Sequence, residues 1–260
     1  MFKKNTWRHN SRQEGIFKMK YKKIIFDLDN TVMDFSDAEA RALKQVVLAH
    51  DLPYTKETVE TYKDINHDLW RKLEKGIISR EELFSSRFAL FLEKFGLDVN
   101  GKQVDSDYSQ QLGYGFKMMA HARELMTVLK RNGYSLYAGT NGVTDIQWKR
   151  MKGADITHFF DDVFISEEIG VEKPDPRFFD HIFDALDTDN KEEFLMVGDS
   201  LTSDILGANN AGIDSVWYNF SGGPKKAGTA DSTYTITSLL ELFPFFGLEQ
   251  EAITSAPFKN

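Results

Sequence analysis

One strand-like run, residues 22–26, stands alone early in the chain, and the next does not come until residue 135. That gap constrains the fold more than any other feature. The run Lys22-Lys23-Ile24-Ile25-Phe26 ends abruptly in Asp27-Leu28-Asp29-Asn30-Thr31. From about residue 36 to 113 apolar side chains recur at helical spacing with almost no strand signal. Asp37 is placed to cap a helix carrying Ala38, Leu43, Val46, Val47 and His50. A second helix is expected over 55–75, with Val59, Tyr62, Leu69 and Leu73 as its apolar stripe. A third spans 79–95, stopped by Gly96, and a weaker fourth covers 105–112.

Beyond residue 113 helices and strands alternate. Helices are expected at 121–131, 144–151, 176–186, 203–211 and 239–246, and strands at 135–138, 163–165, 194–197 and 215–218. This alternation means parallel βαβ units. The reading is an α/β fold: a doubly wound parallel sheet built from residues 20–35 and 114–248, interrupted by a four-helix insertion at 36–113. Residues 1–19 and 249–260 read as tails. The first tail scatters Lys3, Lys4, Arg8, Arg12 and Lys18 among polar residues without an apolar stretch. It is expected to be disordered, with a targeting peptide or basic arm as the less favoured reading.

Composition removes several function classes. The chain has no cysteine, which excludes thiol nucleophiles, disulfides and Cys-rich zinc sites. The formal charge of −8 disfavours a broad nucleic-acid footprint. No apolar run reaches membrane-spanning length. A cytoplasmic protein, monomeric or weakly dimeric, with neither nucleic acid nor membrane as partner, is expected.

In doubly wound sheets ligands sit outside the carboxyl ends of the strands. Three expected strands end there in polar groups: Asp27 and Asp29, Thr140 and Asn141, and Asp199 and Ser200. Lys173 lies in a loop returning to the same edge. Each alone reads as a solvated turn, a surface lysine or a helix cap; four in order on one edge do not. Asp27 and Asp199, with the Asp29 carbonyl, suit a hard divalent cation such as Mg²⁺, which tolerates few carboxylates beside a phosphate. Asp27 is the candidate nucleophile, and Asp29 the candidate acid and base. Thr140, Asn141 and Lys173 would hold the phosphoryl oxygens, and Asp204 would orient Lys173 or a metal-bound water.

The set Asp27-Leu28-Asp29-Asn30-Thr31, Thr140-Asn141-Gly142, Lys173-Pro174 and Gly198-Asp199-Ser200 with Asp204 resembles the four-motif signature of the haloacid dehalogenase superfamily. The resemblance implies a Rossmann-like core, an aspartyl-phosphate intermediate, Mg²⁺, supporting roles for Thr31 and Ser200, and a helical insertion acting as a type-one cap over the substrate. True haloacid dehalogenases carry a non-acidic residue at the position of Asp29 and use no metal. Asp29 therefore argues for phosphate esters.

The insertion resembles one branch more closely. The run Tyr62-Lys63-Asp64-Ile65-Asn66-His67-Asp68-Leu69-Trp70, with Glu74-Lys75-Gly76 and Arg87-Phe88, is similar to the noncanonical pyrimidine 5′-nucleotidases. That implies (deoxy)pyrimidine nucleoside monophosphates as substrates. Asn66, His67, Trp70 and Arg80 become cap candidates for substrate contact, although packing is the favoured reading for Tyr62 and Trp70. Two positions depart from the family: Gly139 stands where a bulkier apolar residue is usual, suggesting a looser strand end, and His121 where glycine is common. The alternatives are a phosphatase or phosphomutase of sugar phosphates or other small metabolites, and, more remotely, a non-catalytic phospho-binding module.

Overall fold

The computed structural model describes residues 20–97 and 99–248, so the expectations for 1–19 and 249–260 fall outside the described residues. Six parallel strands form one sheet in the order β3-β2-β1-β4-β5-β6. They are β1 (Lys23–Phe26), β2 (Ser135–Thr140), β3 (Asp162–Ile165), β4 (Phe194–Gly198), β5 (Asp214–Tyr218) and β6 (Tyr234–Ile236). β1 is central: Phe26 lies opposite Ala138 on one side and Val197 on the other. Alternation sends Ile24 and Phe26 into one apolar cluster and Ile25 into another, with Phe178, Phe179 and Ile182. A strand buried on both faces reads as the continuous apolar run seen in the sequence. The chain winds outwards one way from β1 through β2 and β3, and the other way through β4 to β6. The switch between β1 and β4 is where a ligand crevice belongs.

Five helices stand between β1 and β2, and the first four make the insertion: α1 (Phe35–Ala49), α2 (Lys56–Glu74), α3 (Arg80–Lys94) and α4 (Gly101–Leu112). Local chemistry sets their starts. Asp34, not Asp37, caps α1, accepting the N–H of Asp37 at 2.9 Å. Ser79 and Glu82 form a reciprocal capping box at α3, and Thr55 with Thr58 does the same at α2. α4 begins four residues earlier than expected. A Cβ at Gly101 would lie 2.7 Å from the backbone nitrogen of Ala89, so glycine permits the close α3–α4 approach. These helices share their own core, in which Tyr62 packs on Phe88 and Tyr108 with centroids 5.1 and 5.4 Å away.

On the sheet side lie α5 (Ala122–Arg131), α6 (Thr144–Gly153), α7 (Pro176–Ala185) and α8 (Leu206–Ala211), the last preceded by a wide π-type turn at Leu201–Ile205. Further expectations fail. Residues 239–246 form two short 3₁₀ segments rather than one helix, because Pro244 lacks the N–H a continuing helix needs. β6, only three residues long, is not among the expected strands. The strand end at Gly139 is not loose: β2 runs through to Thr140, and a Cβ at Gly139 would meet Ile25 at 2.9 Å and Phe178 at 3.4 Å. His121 has φ of 65°, left-handed backbone that glycine adopts without penalty, which explains the usual residue there. No helix among the described residues is long and apolar enough to cross a membrane.

Candidate active site

The ends of β1, β2 and β4 converge on a cavity of 530 Å³ whose far wall is the helical insertion. Asp27, Asp29, Thr140, Asn141, Lys173, Asp199, Ser200 and Asp204 line its floor. The turn after β1 doubles back because Asn30 takes left-handed backbone, φ 59°, while its Oδ1 accepts both the N–H and the hydroxyl of Ser36 at 2.9 Å. Asp27 is thereby presented at the strand end, its own N–H donating to Val197 O at 2.9 Å. Thr31 is buried beneath this turn, and its hydroxyl has no hydrogen-bond partner among the described residues.

Lys173 is 1% exposed and donates to Asp27 Oδ1 at 2.9 Å, Asp204 Oδ1 at 2.6 Å and the Gly139 carbonyl at 2.6 Å. These three bonds use all the ammonium hydrogens. Lys173 therefore acts on a bound anion through its charge unless it exchanges a partner. Asp204 reaches it because Gly198 has no Cβ; one there would lie 2.3 Å from Asp204 Oδ2. The other Asp204 oxygen accepts the Ser200 N–H at 3.0 Å. Ser200 itself caps the following turn, accepting from Ser203 N.

Asn141 lines the cavity and also has a partner that the sequence does not indicate. Its amide is engaged with the Lys173 backbone in both directions, donating to the carbonyl at 2.8 Å and accepting from the N–H at 2.9 Å. It fixes the lysine loop. Thr140 Oγ1 accepts from Gly142 N at 3.0 Å and Gln147 Nε2 at 2.8 Å, which leaves its O–H hydrogen to donate into the cavity.

Two residues on α6 carry no signal a motif search would catch. Gln147 donates to Asp29 Oδ2 at 2.8 Å, and buried Arg150 pairs with Asp29 Oδ1. Arg150 also donates to the Gly115 carbonyl at 3.1 Å. A faint sign lies in the spacing: Gln147, Arg150 and Met151 share the buried face of α6, where apolar residues would be expected.

Asp27, Asp199 and Asp204 bring carboxylate oxygens within 4.8 Å of one another. Burial pushes Asp27 up to about 8, with Asp204 and Asp29 adding to the shift and Lys173 opposing it. Burial and the charges of Asp204, Asp27 and Asp29 likewise raise Asp199 well above the carboxylate range. Lys173 is held above its ordinary value by Asp204 and Asp27 against the effect of burial. Four carboxylates face two cationic side chains here, and Arg150 is committed to Asp29. The oxygen-only donor set and its surplus negative charge fit a hard divalent cation.

The cap candidates divide. Asn66 and Trp70 line the cavity, as does the exposed His67. Burial, together with Arg71 and Lys226, lowers the His67 pKa. Trp70 packs edge-on to Phe84, centroids 6.2 Å apart. Arg80 is not among the lining residues. Its guanidinium pairs with Glu172 at 3.0 Å and donates to Ser166 Oγ at 2.7 Å and the Asn141 carbonyl at 3.2 Å, so it clasps the insertion to the sheet. Glu39, not anticipated, also lines the cavity, as does Glu74 on the α2 face of Asn66 and Trp70. Burial raises Glu74 to about 7 although Thr202 hydrogen-bonds it.

A parallel sheet with an aspartate pair at the end of its first strand, a buried lysine and a third aspartate across the switch point are the arrangement of a hydrolase. The chain belongs to the haloacid dehalogenase-like hydrolases, whose family model matches residues 21–212. The pyrimidine 5′-nucleotidase PynA of Streptococcus pneumoniae is 39% identical over 77% of this chain and 85% of its own. A glyceraldehyde 3-phosphate phosphatase of Pyrococcus abyssi is 31% identical over 76% of this chain and 82% of its own. The magnesium-bound crystal structure of the HAD-hydrolase YfnB from Bacillus subtilis, 34% identical, superposes with a TM-score of 0.83 over 88% of this chain and 100% of that one.

Proposed function

We propose that the protein is a Mg²⁺-dependent phosphomonoesterase acting through an aspartyl-phosphate on Asp27, with (deoxy)pyrimidine nucleoside 5′-monophosphates as substrates. The observation that carries the reading is the joining of two chemistries in one cavity. A carboxylate and lysine floor suited to phosphoryl transfer faces a wall carrying Asn66, Trp70, Phe84 and Glu39. Asp27, Asp199 and the Asp29 carbonyl would hold the cation, which supplies charge neutralisation for a dianion among carboxylates.

The steps follow from the side chains. Asp27 attacks phosphorus with a carboxylate oxygen, and the phosphorus–ester oxygen bond breaks. Lys173 opposes the upward shift of Asp27 and orients it through Oδ1, and a bound cation would supply the further positive charge that favours the carboxylate. Asp29, which must first exchange its bonds to Arg150 and Gln147 and take up a proton, gives that proton to the departing 5′-oxygen, then takes one from the water that cleaves the aspartyl-phosphate. Thr140 donates its hydroxyl to a phosphoryl oxygen while the charge of Lys173 offsets that of the transition state. Phosphate leaves, and Asp27 returns as a carboxylate.

A second reading, hydrolysis of a small sugar phosphate, is favoured by the relative named for glyceraldehyde 3-phosphate. The cavity's 530 Å³ and its aromatic wall are larger and more apolar than a triose phosphate requires. A panel of dUMP, dTMP and UMP against glyceraldehyde 3-phosphate, hexose phosphates and phosphoglycolate, each with Mg²⁺ and with chelator, separates the two. Nucleotides are expected to give the highest kcat/KM, all turnover to stop with chelator, and Asp27→Asn to abolish it. A sugar phosphate turned over well above every nucleotide would overturn the substrate assignment.

A further inference from the structure

The wall opposite the phosphate floor holds a polar row that the reaction does not use. Asn66 donates to Glu39 Oε1 at 3.2 Å, and Lys63 Nζ stands 3.9 Å from Glu39 Oε2. All three residues line the cavity. Glu39 is 8% exposed and Asn66 6%, whereas Lys63 reaches in from an exposed stem. Asn66 and Lys63 sit three residues apart on α2, one helical step, so both face Glu39, one at each of its carboxylate oxygens.

The orientation of the Asn66 amide is settled by its neighbours. Arg87 carries only donors and lies 3.5 Å from Oδ1, while the Glu39 carboxylate faces Nδ2. Arg87 is itself fixed by an ion pair to Asp105, a bond to Ser109 and stacking 4.7 Å from the Tyr108 centroid. Nδ2 therefore has one N–H on Glu39 and a second available to the cavity. Read along the wall, the row is donor, acceptor, donor.

Resting on the nucleotidase reading, we propose that Asn66, Glu39 and Lys63 read the imide edge of a uracil-type base. That edge offers acceptor, donor, acceptor: two carbonyl oxygens around an N–H. The N–H donates to Glu39, and the oxygens accept from Asn66 and Lys63. A cytosine edge puts a ring-nitrogen acceptor against the Glu39 carboxylate and leaves one flanking donor facing an amine. A buried acceptor left without its donor is what makes such sites discriminate. Arg87 is a positioning residue, setting the amide rather than touching the base.

The test measures kcat/KM for dUMP, dCMP and p-nitrophenyl phosphate in the full-length Mg²⁺ enzyme and in Glu39→Gln and Lys63→Met. The side-chain amide introduced by Glu39→Gln offers cytosine the donor that a carboxylate lacks, so the dUMP:dCMP ratio should fall ~10-fold or more. Lys63→Met, an exposed change that does not threaten folding, should lower dUMP relative to p-nitrophenyl phosphate ~10-fold. A structural lesion would reduce all substrates alike. Ratios that stay within about twofold in every variant that folds would overturn the base-reading role while leaving the nucleotidase assignment intact. Wild-type enzyme that hydrolyses sugar phosphates but no nucleotide would overturn both.

Discussion

Arg150 and Asp29 form an ion pair that ties the end of the first motif to the helix following the second. Gln147 holds the other oxygen of the same carboxylate. Asp29 thus rests with both oxygens engaged, and Arg150 also grips the Gly115 carbonyl, where the chain returns from insertion to sheet. The pair places the proposed proton-transfer group and links it to the segment that would move if the insertion opens.

Arg150→Met should therefore impair the step that needs a positioned proton donor. Removing a general acid or its alignment costs roughly 10²-fold when the leaving group is a poor one. We expect kcat on nucleoside monophosphates to fall by about that factor, and kcat on p-nitrophenyl phosphate, whose phenolate leaves without help, to fall much less. Equal losses on both substrates would show that Arg150 acts only through the fold.

Lys173 is the cation on which the floor of the site depends. Lys173→Met would leave Asp27 and Asp204 buried without their shared counter-charge. Breaking a buried pair on one side destabilises by about 3–5 kcal/mol. Thermal melts should show a large drop in Tm together with loss of turnover. A stable but inactive variant would mean that water reaches the carboxylates more freely than their burial implies.

The order of elements and the sheet's ligand edge were legible because each rests on local signals: the apolar run before Asp27, the caps at Thr55 and Ser79, the turn after Thr140. Less legible were contacts set by tertiary approach. Asn141 looks like a ligand in sequence, and nothing there shows that its amide also holds the Lys173 backbone, a partner 32 residues away. Arg80 reads as a cap cation and proves to be a clasp on Glu172. Gln147, Arg150 and Glu39 escape a sequence reading because a polar residue on a helix defaults to solvent. Only the packing of α1, α2 and α6 around one cavity turns those side chains inward.

The Arg80 clasp yields a prediction of its own. Its guanidinium joins α3 to Ser166, Glu172 and the carbonyls of the Asn141 loop. If the insertion moves over the substrate, Arg80→Ala should shift it towards open forms. We expect kcat/KM for nucleotides to fall about tenfold, with KM and kcat both affected. Limited proteolysis between residues 112 and 121 should accelerate. Unchanged proteolysis with unchanged kinetics would remove Arg80 from any role in closure.

Far from the site, Asp214 joins three parts of the chain. It accepts from Lys20 and from Tyr21 Oη at 2.7 Å at the entrance to β1, and from Thr233 Oγ1 at 3.1 Å just before β6. Burial alone would raise its pKa, but the bonds from Lys20, Tyr21 and Thr233 outweigh burial and hold it below the ordinary carboxylate value. A carboxyl with a depressed folded pKa binds protons more weakly in the folded state than in the unfolded one. Its contribution is thus present above about pH 4 and is lost as pH falls through the folded value. Asp214→Asn should lower Tm by roughly 2–4 °C at pH 7. The gap to wild type should narrow as pH falls below about 4, since the protonated aspartic acid and the amide are then equally uncharged. Melts of both proteins from pH 3 to 8 measure this, and a gap that stays constant across the range would show that the Asp214 charge does not hold the β1, β5 and β6 ends together.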